Sequence, residues 1–340
     1  MTKKEKTRKA ILGVLNEIQK PAGAAKIRAA LLAAGMDIQP RTIRLHLLEL
    51  DHEGLSTQVS RRLGRIISKQ GREELSRSNV IEKVGLIASR VDNLSYRMSF
   101  HPSRKCGTVV LNISLIQPEH VSRALHEMKL VFRHKLAISP RIMVAHSGEV
   151  MAGIVIPENY SAIGTICSVT VSGALLREGV SAKTRFSGLL EVRDRIPIRF
   201  VDLIEYAGTT LDPLEIFIQA NMTNVRGVIQ TGNGILCAGF REIPAAALED
   251  VKAMSRKMLS IGLGGILELG QPNQPVLGVR VSEGHAGMIV YGGLNPIAAV
   301  RESGVPVIIK PMAGLEEYSA LRTIEEYQRK PSQTRQNEDR

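Results

Sequence analysis

Pro40-Arg41-Thr42-Ile43-Arg44-Leu45-His46-Leu47-Leu48-Glu49-Leu50, followed by Glu53-Gly54-Leu55 and then Ser60-Arg61-Arg62-Leu63-Gly64-Arg65-Ile66-Ile67, decides the fold of the first 78 residues. A proline opens the first segment, where a helix has no use for its missing N–H. At 100° per residue Ile43, Leu47 and Leu50 form one stripe, with His46 at its edge as a core histidine. Arg41, Arg44, Leu45 and Leu48 fall on the opposite side, and Thr42 on the flank. Two helical patterns precede this segment. One runs from about Lys4 to Gln19 through Ile11, Leu12, Leu15 and Ile18 and stops before Pro21; the other runs from Ala24 to Ala34 and ends at Gly35. Arg61, Arg62 and Arg65 surround Gly64, which reads as the tip of a hairpin. Three helices and a basic hairpin in this order are the parts of a winged helix-turn-helix, whose partner is duplex DNA.

The outward face of the third helix suits a major groove. Arg41 and Arg44 can pair bidentately with guanine edges, and Leu45 can touch a thymine methyl. Packing of Leu45 and Leu48 on a neighbouring domain is the competing explanation. In the wing, Arg61, Arg62 and Arg65 would reach phosphates or the minor groove, adding affinity and salt dependence. One such module binds weakly, so the remaining residues are expected to dimerise it.

Charge supports the division. Of the net +12, residues 1–80 carry 16 Lys/Arg against 8 Asp/Glu and the other 260 residues 29 against 25, so the basic surplus sits with the DNA module. Cys106, Cys167 and Cys237 are isolated, which fits a reduced, cytoplasmic setting. No apolar run reaches the roughly 18 residues of a membrane span, and Asn16 and Glu17 break the only apolar stretch near the N-terminus.

From Val80 glycine and β-branched residues become frequent. Strand-like runs at 107–114, 141–145, 151–156, 276–281 and 305–309 alternate with helical stretches such as 118–131 and 244–259, which gives a mixed α/β body. Shifted on itself by about 125 residues, this body matches. Gly153-Ile-Val-Ile-Pro-Glu-Asn pairs with Gly278-Val-Arg-Val-Ser-Glu-Gly, and Leu176-Arg-Glu-Gly-Val with Val300-Arg-Glu-Ser-Gly-Val. The expected layout is a winged helix over 1–78 and a regulatory domain over 79–328, with a disordered tail over 329–340. Two repeats, about 107–205 and 226–320, would each form a lobe and face each other across a pseudo-two-fold cleft.

Catalytic patterns are missing. The chain has no G-x-x-x-x-G-K-[ST], H-E-x-x-H or G-x-S-x-G, and its His and Cys fall at no metal-ligand spacing. His146-Ser147-Gly148-Glu149 reads as a polar loop, and 12 Phe and Tyr with no Trp do not favour single-stranded nucleic acid. A DNA reader fused to a non-catalytic body with a cleft fits a small-molecule sensor. An enzyme acting on a small acid, a constitutive co-repressor scaffold answering to a partner protein, and a redox sensor using Cys167 or Cys237 are the alternatives.

Three strings resemble the archaeal nitrogen repressor family, NrpR: Gly232-Asn-Gly-Ile-Leu-Cys-Ala-Gly-Phe-Arg-Glu-Ile-Pro244, Ile163-Gly-Thr-Ile-Cys-Ser-Val-Thr-Val-Ser-Gly-Ala-Leu-Leu176 and Tyr291-Gly-Gly-Leu-Asn-Pro-Ile-Ala-Ala299. The resemblance runs from about Lys6 to Tyr318, with room for one regulatory domain. It implies a repressor of nitrogen-fixation and ammonia-assimilation genes that binds palindromic operators as a homodimer or higher oligomer. It also implies 2-oxoglutarate as an effector that weakens binding, and a second regulatory-domain protein without a winged helix as a possible partner; no cofactor or metal is implied. Such a dianion needs cationic and hydrogen-bonding groups. Arg241 is the first candidate, unless it pairs with Glu242 or another acid. Cys167, Ser168 and Thr170 in one half, and Tyr291, Gly292, Gly293 and Asn295 in the other, are the second. The glycines would admit a ligand to the backbone or form tight turns at the interface.

Overall fold

The computed structural model describes residues 3–18, 20–33, 36–60, 62–77 and 86–329. Arg61, the expected boundary at 78/79 and residues 330–340 of the expected tail lie outside them. The chain forms two compact units, 1–84 and 85–340.

In the first unit, α1 (Lys3–Ile18), α2 (Ala24–Ala33) and α3 (Pro40–His52) precede β1 (Ser56–Ser60), β2 (Gly64–Ile67) and α4 (Lys69–Arg77). Ile11, Leu15, Ile27, Leu31, Ile43, Leu47 and Leu50 are buried together, so the apolar stripes of three helices make one small core. The strands pair antiparallel, and Arg65 also bridges Ala22 through backbone hydrogen bonds. Gly64 is not the tip of the hairpin. It pairs with Ser60 at the start of β2, with φ of 97°, and a Cβ there would overlap the Ala22 backbone. Glycine is needed at this position for close approach.

The second unit begins with α5 (Leu86–Arg97) and then runs twice through the same order of elements. The first pass is β3 (Thr108–Ile116), α6 (Val121–Arg133), β4 (Arg141–Ala145), the short hairpin β5 (Val150–Met151) and β6 (Ile154–Val155), β7 (Ser161–Ile166), α7 (Val169–Arg177) and β8 (Lys183–Arg193). Then come β9 (Ile196–Glu205), α8 (Pro213–Gln219) and α9 (Val225–Thr231). The second pass is β10 (Gly234–Pro244), α10 (Leu248–Ser260), β11 (Ile266–Leu269), β12 (His285–Tyr291), α11 (Asn295–Glu302) and β13 (Ile308–Glu317); β14 (Arg322–Thr323) and α12 (Ile324–Arg329) follow.

Each pass has the β-α-β-β-α-β order of a split βαβ unit. The two five-stranded sheets, β13-β3-β7-β4-β14 and β11-β12-β10-β8-β9, are antiparallel throughout. Their strand origins overturn one expectation. The first repeat takes β13 from the second, and the second takes β8 from the first, so neither repeat closes a lobe by itself. A shared core follows. Helix α6 of the first repeat packs on α11 of the second, and the buried clusters mix residues of both.

Two expected strands are tight hairpins. In 151–156, Ala152 and Gly153 have φ of 47° and 79°; in 276–281, Leu277 and Gly278 have 46° and 79°. Two successive positive φ values make a type I′ turn, which Ala and Leu do not advertise as Asn would. The long strands β8, β9 and β10, and the shorter β7, β11 and β12, lie outside the expected runs.

Candidate functional site

The recognition face stands as the spacing predicts. Ile43, His46, Leu47 and Leu50 are buried, and Arg41, Thr42, Arg44, Leu45 and Leu48 are exposed, the two leucines by 56% and 58%. His46 is held by Glu49 at 3.2 Å, as a core-edge residue. In the wing Arg62 is exposed, and Arg65 is half-buried and bonded within the unit. Its Nε donates to Asp51 at 2.6 Å and a terminal nitrogen to Gln58 at 3.2 Å, so it fastens the hairpin to the end of α3.

The candidate ligand residues converge, yet most of them hold the fold. Thr170 Oγ1 accepts from the Val110 N–H at 3.1 Å and lies 3.4 Å from the Val110 carbonyl. Asn295 does the same for Cys237 in the other repeat: Oδ1 accepts from its N–H at 2.9 Å, and Nδ2 donates to its carbonyl and to that of Leu136, both at 3.1 Å. The backbone N–H of Cys167 donates to Val110, and that of Gly292 to Cys237. These are repeat-equivalent fasteners, buried and saturated.

Gly292 and Gly293 do permit close approach, to protein rather than ligand. A Cβ on Gly292 would lie 2.6 Å from Cys237 Cβ, and one on Gly293 2.8 Å from the Ile166 carbonyl and 2.9 Å from the Ser168 nitrogen. Tyr291 is half-buried and faces a small concavity of about 130 Å³ with His134 and Arg195. Burial pushes the Cys167 thiol up to about 11 and raises that of Cys237 as well, the reverse of what a reactive thiolate needs.

Arg241 is different. Its side chain is 2% exposed, and one terminal nitrogen donates to the Ser168 carbonyl at 3.0 Å. Its Nε and Nη1 are buried with no partner. The expected alternative, a pair with Glu242, is excluded by the pleat. Glu242 points to the other face, where it holds Arg185 at 2.7 Å and accepts from the Ser282 N–H and hydroxyl. Burial draws the guanidinium below its usual value, against the pull of Tyr206 and Cys167 nearby. Thr184, its cross-strand partner on β8, also has a buried, unpartnered hydroxyl.

Two neighbours gave no sequence signal as site residues. Tyr206, in the turn after β9, bonds Ser187 through its hydroxyl at 2.9 Å. Asp212 caps α8, accepting from the Leu214 and Glu215 N–H groups, and burial raises it to about 6 against those bonds. An acid before a proline reads simply as a helix start.

The registers show why the two repeats are not equal here. Leu111 opposite Ile166 corresponds to Ala238 opposite Tyr291, so Ser114 occupies the place of Arg241 in the first repeat. Only one of the two equivalent places carries a cation. The largest of the described concavities, about 650 Å³, lies elsewhere, between Asn224, Arg226, Arg301 and Glu302, and Glu302 there is engaged by Thr223 and the α9 N–H groups. Among the described residues no His/Cys/Asp/Glu group could hold a metal, and no helix is long and apolar enough to cross a membrane.

Comparison with known proteins agrees with both units. Residues 9–75 match the family described as the ribonuclease R winged-helix domain, and residues 84–323 match the NrpR regulatory domains NRD1 and 2. The global nitrogen regulator NrpRI of Methanosarcina mazei is 31% identical over 92% of this chain and 96% of its own length. The global nitrogen regulator NrpR of Methanocaldococcus jannaschii is 30% identical over 92% of this chain, which spans 54% of that longer protein. A crystal structure of a nitrogen repressor-like protein from Methanococcus jannaschii superposes with a TM-score of 0.60 at 26% identity, over 69% of this chain and 96% of that one. With its regulatory unit matched almost end to end, the chain belongs to the NrpR family of nitrogen regulators, a family of regulators and not of enzymes.

Proposed function

We propose that this chain represses nitrogen-assimilation and nitrogen-fixation genes in the cytoplasm by binding palindromic operators as a homodimer or higher oligomer, and that 2-oxoglutarate releases it. The names of its relatives support the nitrogen role. The exposed Arg41, Arg44 and Leu45 face supports major-groove binding. One observation carries the effector half of the reading: Arg241, a buried guanidinium with two unpartnered nitrogens and no acidic neighbour bonded to it. A cation held in that state favours an anion as its missing partner.

Release follows from linkage. The effector must bind the arrangement that fits the operator poorly more tightly than the one that fits it well. A coupling of roughly 1–3 kcal/mol shifts operator affinity about 5–150-fold. A second regulatory-domain protein lacking a winged helix would act by adding to the bound assembly.

Selection of bound genomic fragments by the purified protein tests the reading, with 2-oxoglutarate in one arm and succinate in another. Recovery of palindromic sites near nitrogen genes, lost with 2-oxoglutarate alone, is the expected result. Recovery indifferent to both acids would leave a DNA-binding scaffold answering to a partner.

A further inference from the structure

Arg241 offers three N–H donors without acceptors, one on Nε and two on Nη1, and Thr184 adds a hydroxyl from the facing strand. These atoms belong to adjacent strands of one sheet. Arg241 forms no ion pair among the described residues, and its one hydrogen bond goes to the Ser168 carbonyl. The arrangement suits a carboxylate, which would supply both the charge and the acceptors. With Arg241 2% exposed, no carboxylate can reach it unless something moves.

Helix α5 is the element placed to move. It packs on the 206–208 turn, which carries Tyr206, and on α7, which starts just after Ser168. Ser168 bonds the guanidinium through its carbonyl, and Tyr206 is near enough to act on its charge. The α5–α7 contact is tight but poorly satisfied. A Cβ on Gly173 would overlap Met98 Sδ and lie 3.0 Å from the Ser95 carbonyl. The hydroxyls of Ser95 on α5 and Ser172 on α7 are both buried without partners. Two unpaired hydroxyls lower the cost of opening this contact, because water would satisfy both. In the chain, α5 is also the first described element after the winged-helix unit.

We infer that Arg241 and Thr184 form an enclosed carboxylate site that admits its ligand only when α5 leaves α7 and the 206–208 turn, so that the gate of the site is also the link to the DNA-binding unit. This rests on the repressor reading above. It gives that reading a physical cause, because a ligand that binds only the α5-displaced state must favour that state.

The test follows amide hydrogen exchange over residues 86–97 of the full chain, with calorimetric titration of 2-oxoglutarate, succinate, malonate and glutamate. One of these carboxylates is expected to bind wild type, to bind Arg241→Gln at least tenfold more weakly, and to raise α5 exchange in wild type alone. Gly173→Ala, made without ligand, pushes on α5 directly. It is expected to raise α5 exchange, weaken operator binding several-fold and tighten the carboxylate, with Met98→Ala in the same chain restoring wild-type behaviour. Binding of none of the four acids, binding indifferent to Arg241→Gln, or binding that leaves α5 exchange unchanged would each overturn the inference. So would a Gly173→Ala protein with mobile α5 and undiminished operator affinity. If 2-oxoglutarate is inert and another acid binds through Arg241, the inference stands and the proposed effector falls.

Discussion

Replacing Arg241 by Met should make the unliganded protein more stable while abolishing its response to effector. Arg241 has two buried nitrogens with no acceptor. Leaving a buried polar group unsatisfied costs roughly 1–3 kcal/mol, so removing both returns roughly 2–6 kcal/mol. The substitution gives up one charge-assisted bond, to the Ser168 carbonyl at 3.0 Å, worth roughly 1.5–3 kcal/mol. The net gain centres on about 2 kcal/mol, in keeping with the neutral or favourable effect of exchanging buried charges for apolar side chains. In a cooperative unit of this size that is roughly 4–8 °C in Tm. The assay is thermal and urea unfolding with and without 2-oxoglutarate. At 100-fold excess over its dissociation constant the effector should add about 2.7 kcal/mol to wild type and nothing to the variant. A variant less stable than wild type by more than about 1 kcal/mol, yet still stabilised by effector, would refute the reasoning. Arg241 would then be a structural residue whose free nitrogens are hydrated.

Asn295→Ala is expected to do the opposite, costing about 3–5 kcal/mol in urea unfolding because it strands the Cys237 N–H and the Leu136 carbonyl. The effector affinity of the folded fraction should be unchanged, and a selective loss of affinity would return Asn295 to the ligand. Arg44→Ala should weaken a specific operator by about 1–3 kcal/mol and relax base preference in a filter-binding series, whereas Arg62→Ala should lower affinity for all sequences and reduce the salt slope by about one; equal behaviour of the two would contradict the assignment of helix and wing. Asp212 has a folded pKa raised from 3.8 to about 6, so between those values the native state binds more protons than the unfolded one and stability falls as pH rises. The shift corresponds to at most ~3 kcal/mol. Asp212→Asn, which keeps the acceptor for the α8 N–H groups, should flatten urea-unfolding stability between pH 4.5 and 7, and an unchanged slope would mean the carboxyl is solvated. Calorimetry should find one carboxylate per chain, since Ser114 stands where a second Arg241 would be; two equal sites would remove the distinction between the repeats.

The helix carrying Arg44 was legible because its signal is local: a proline at the first turn and a buried stripe at helical spacing fix both the element and its outward face. The strand exchange was not. Internal repetition matches the two halves of the body, but which sheet each strand joins is decided by pairing between residues far apart in sequence. The string around Tyr291 to Asn295 packs against protein, and sequence did not show this for a related reason. Its glycines and amide mark a position where something approaches the backbone closely, and sequence does not say whether that something is a ligand or Cys167 and Ser168 of the other repeat. Arg65 reads as a phosphate contact until Asp51, fourteen residues earlier, is seen to hold it.

Duplication and exchange together explain how a single site can control a whole unit. Because each repeat borrows its last strand, Arg241 on β10 lies beside Thr184 on β8, a strand that the first repeat contributes to the second sheet. The site is therefore assembled from both repeats, and the residues that enclose it come from the first repeat and the turn after β9. A symmetric pair of sites would pull both sheets alike and bias no particular helix. With Arg241 in one repeat and Ser114 in the other, a carboxylate bound as proposed would act on one side only, the side where α5 lies against α7. The fasteners that remained symmetric, Thr170 on Val110 and Asn295 on Cys237, hold the frame against which that one-sided movement is made.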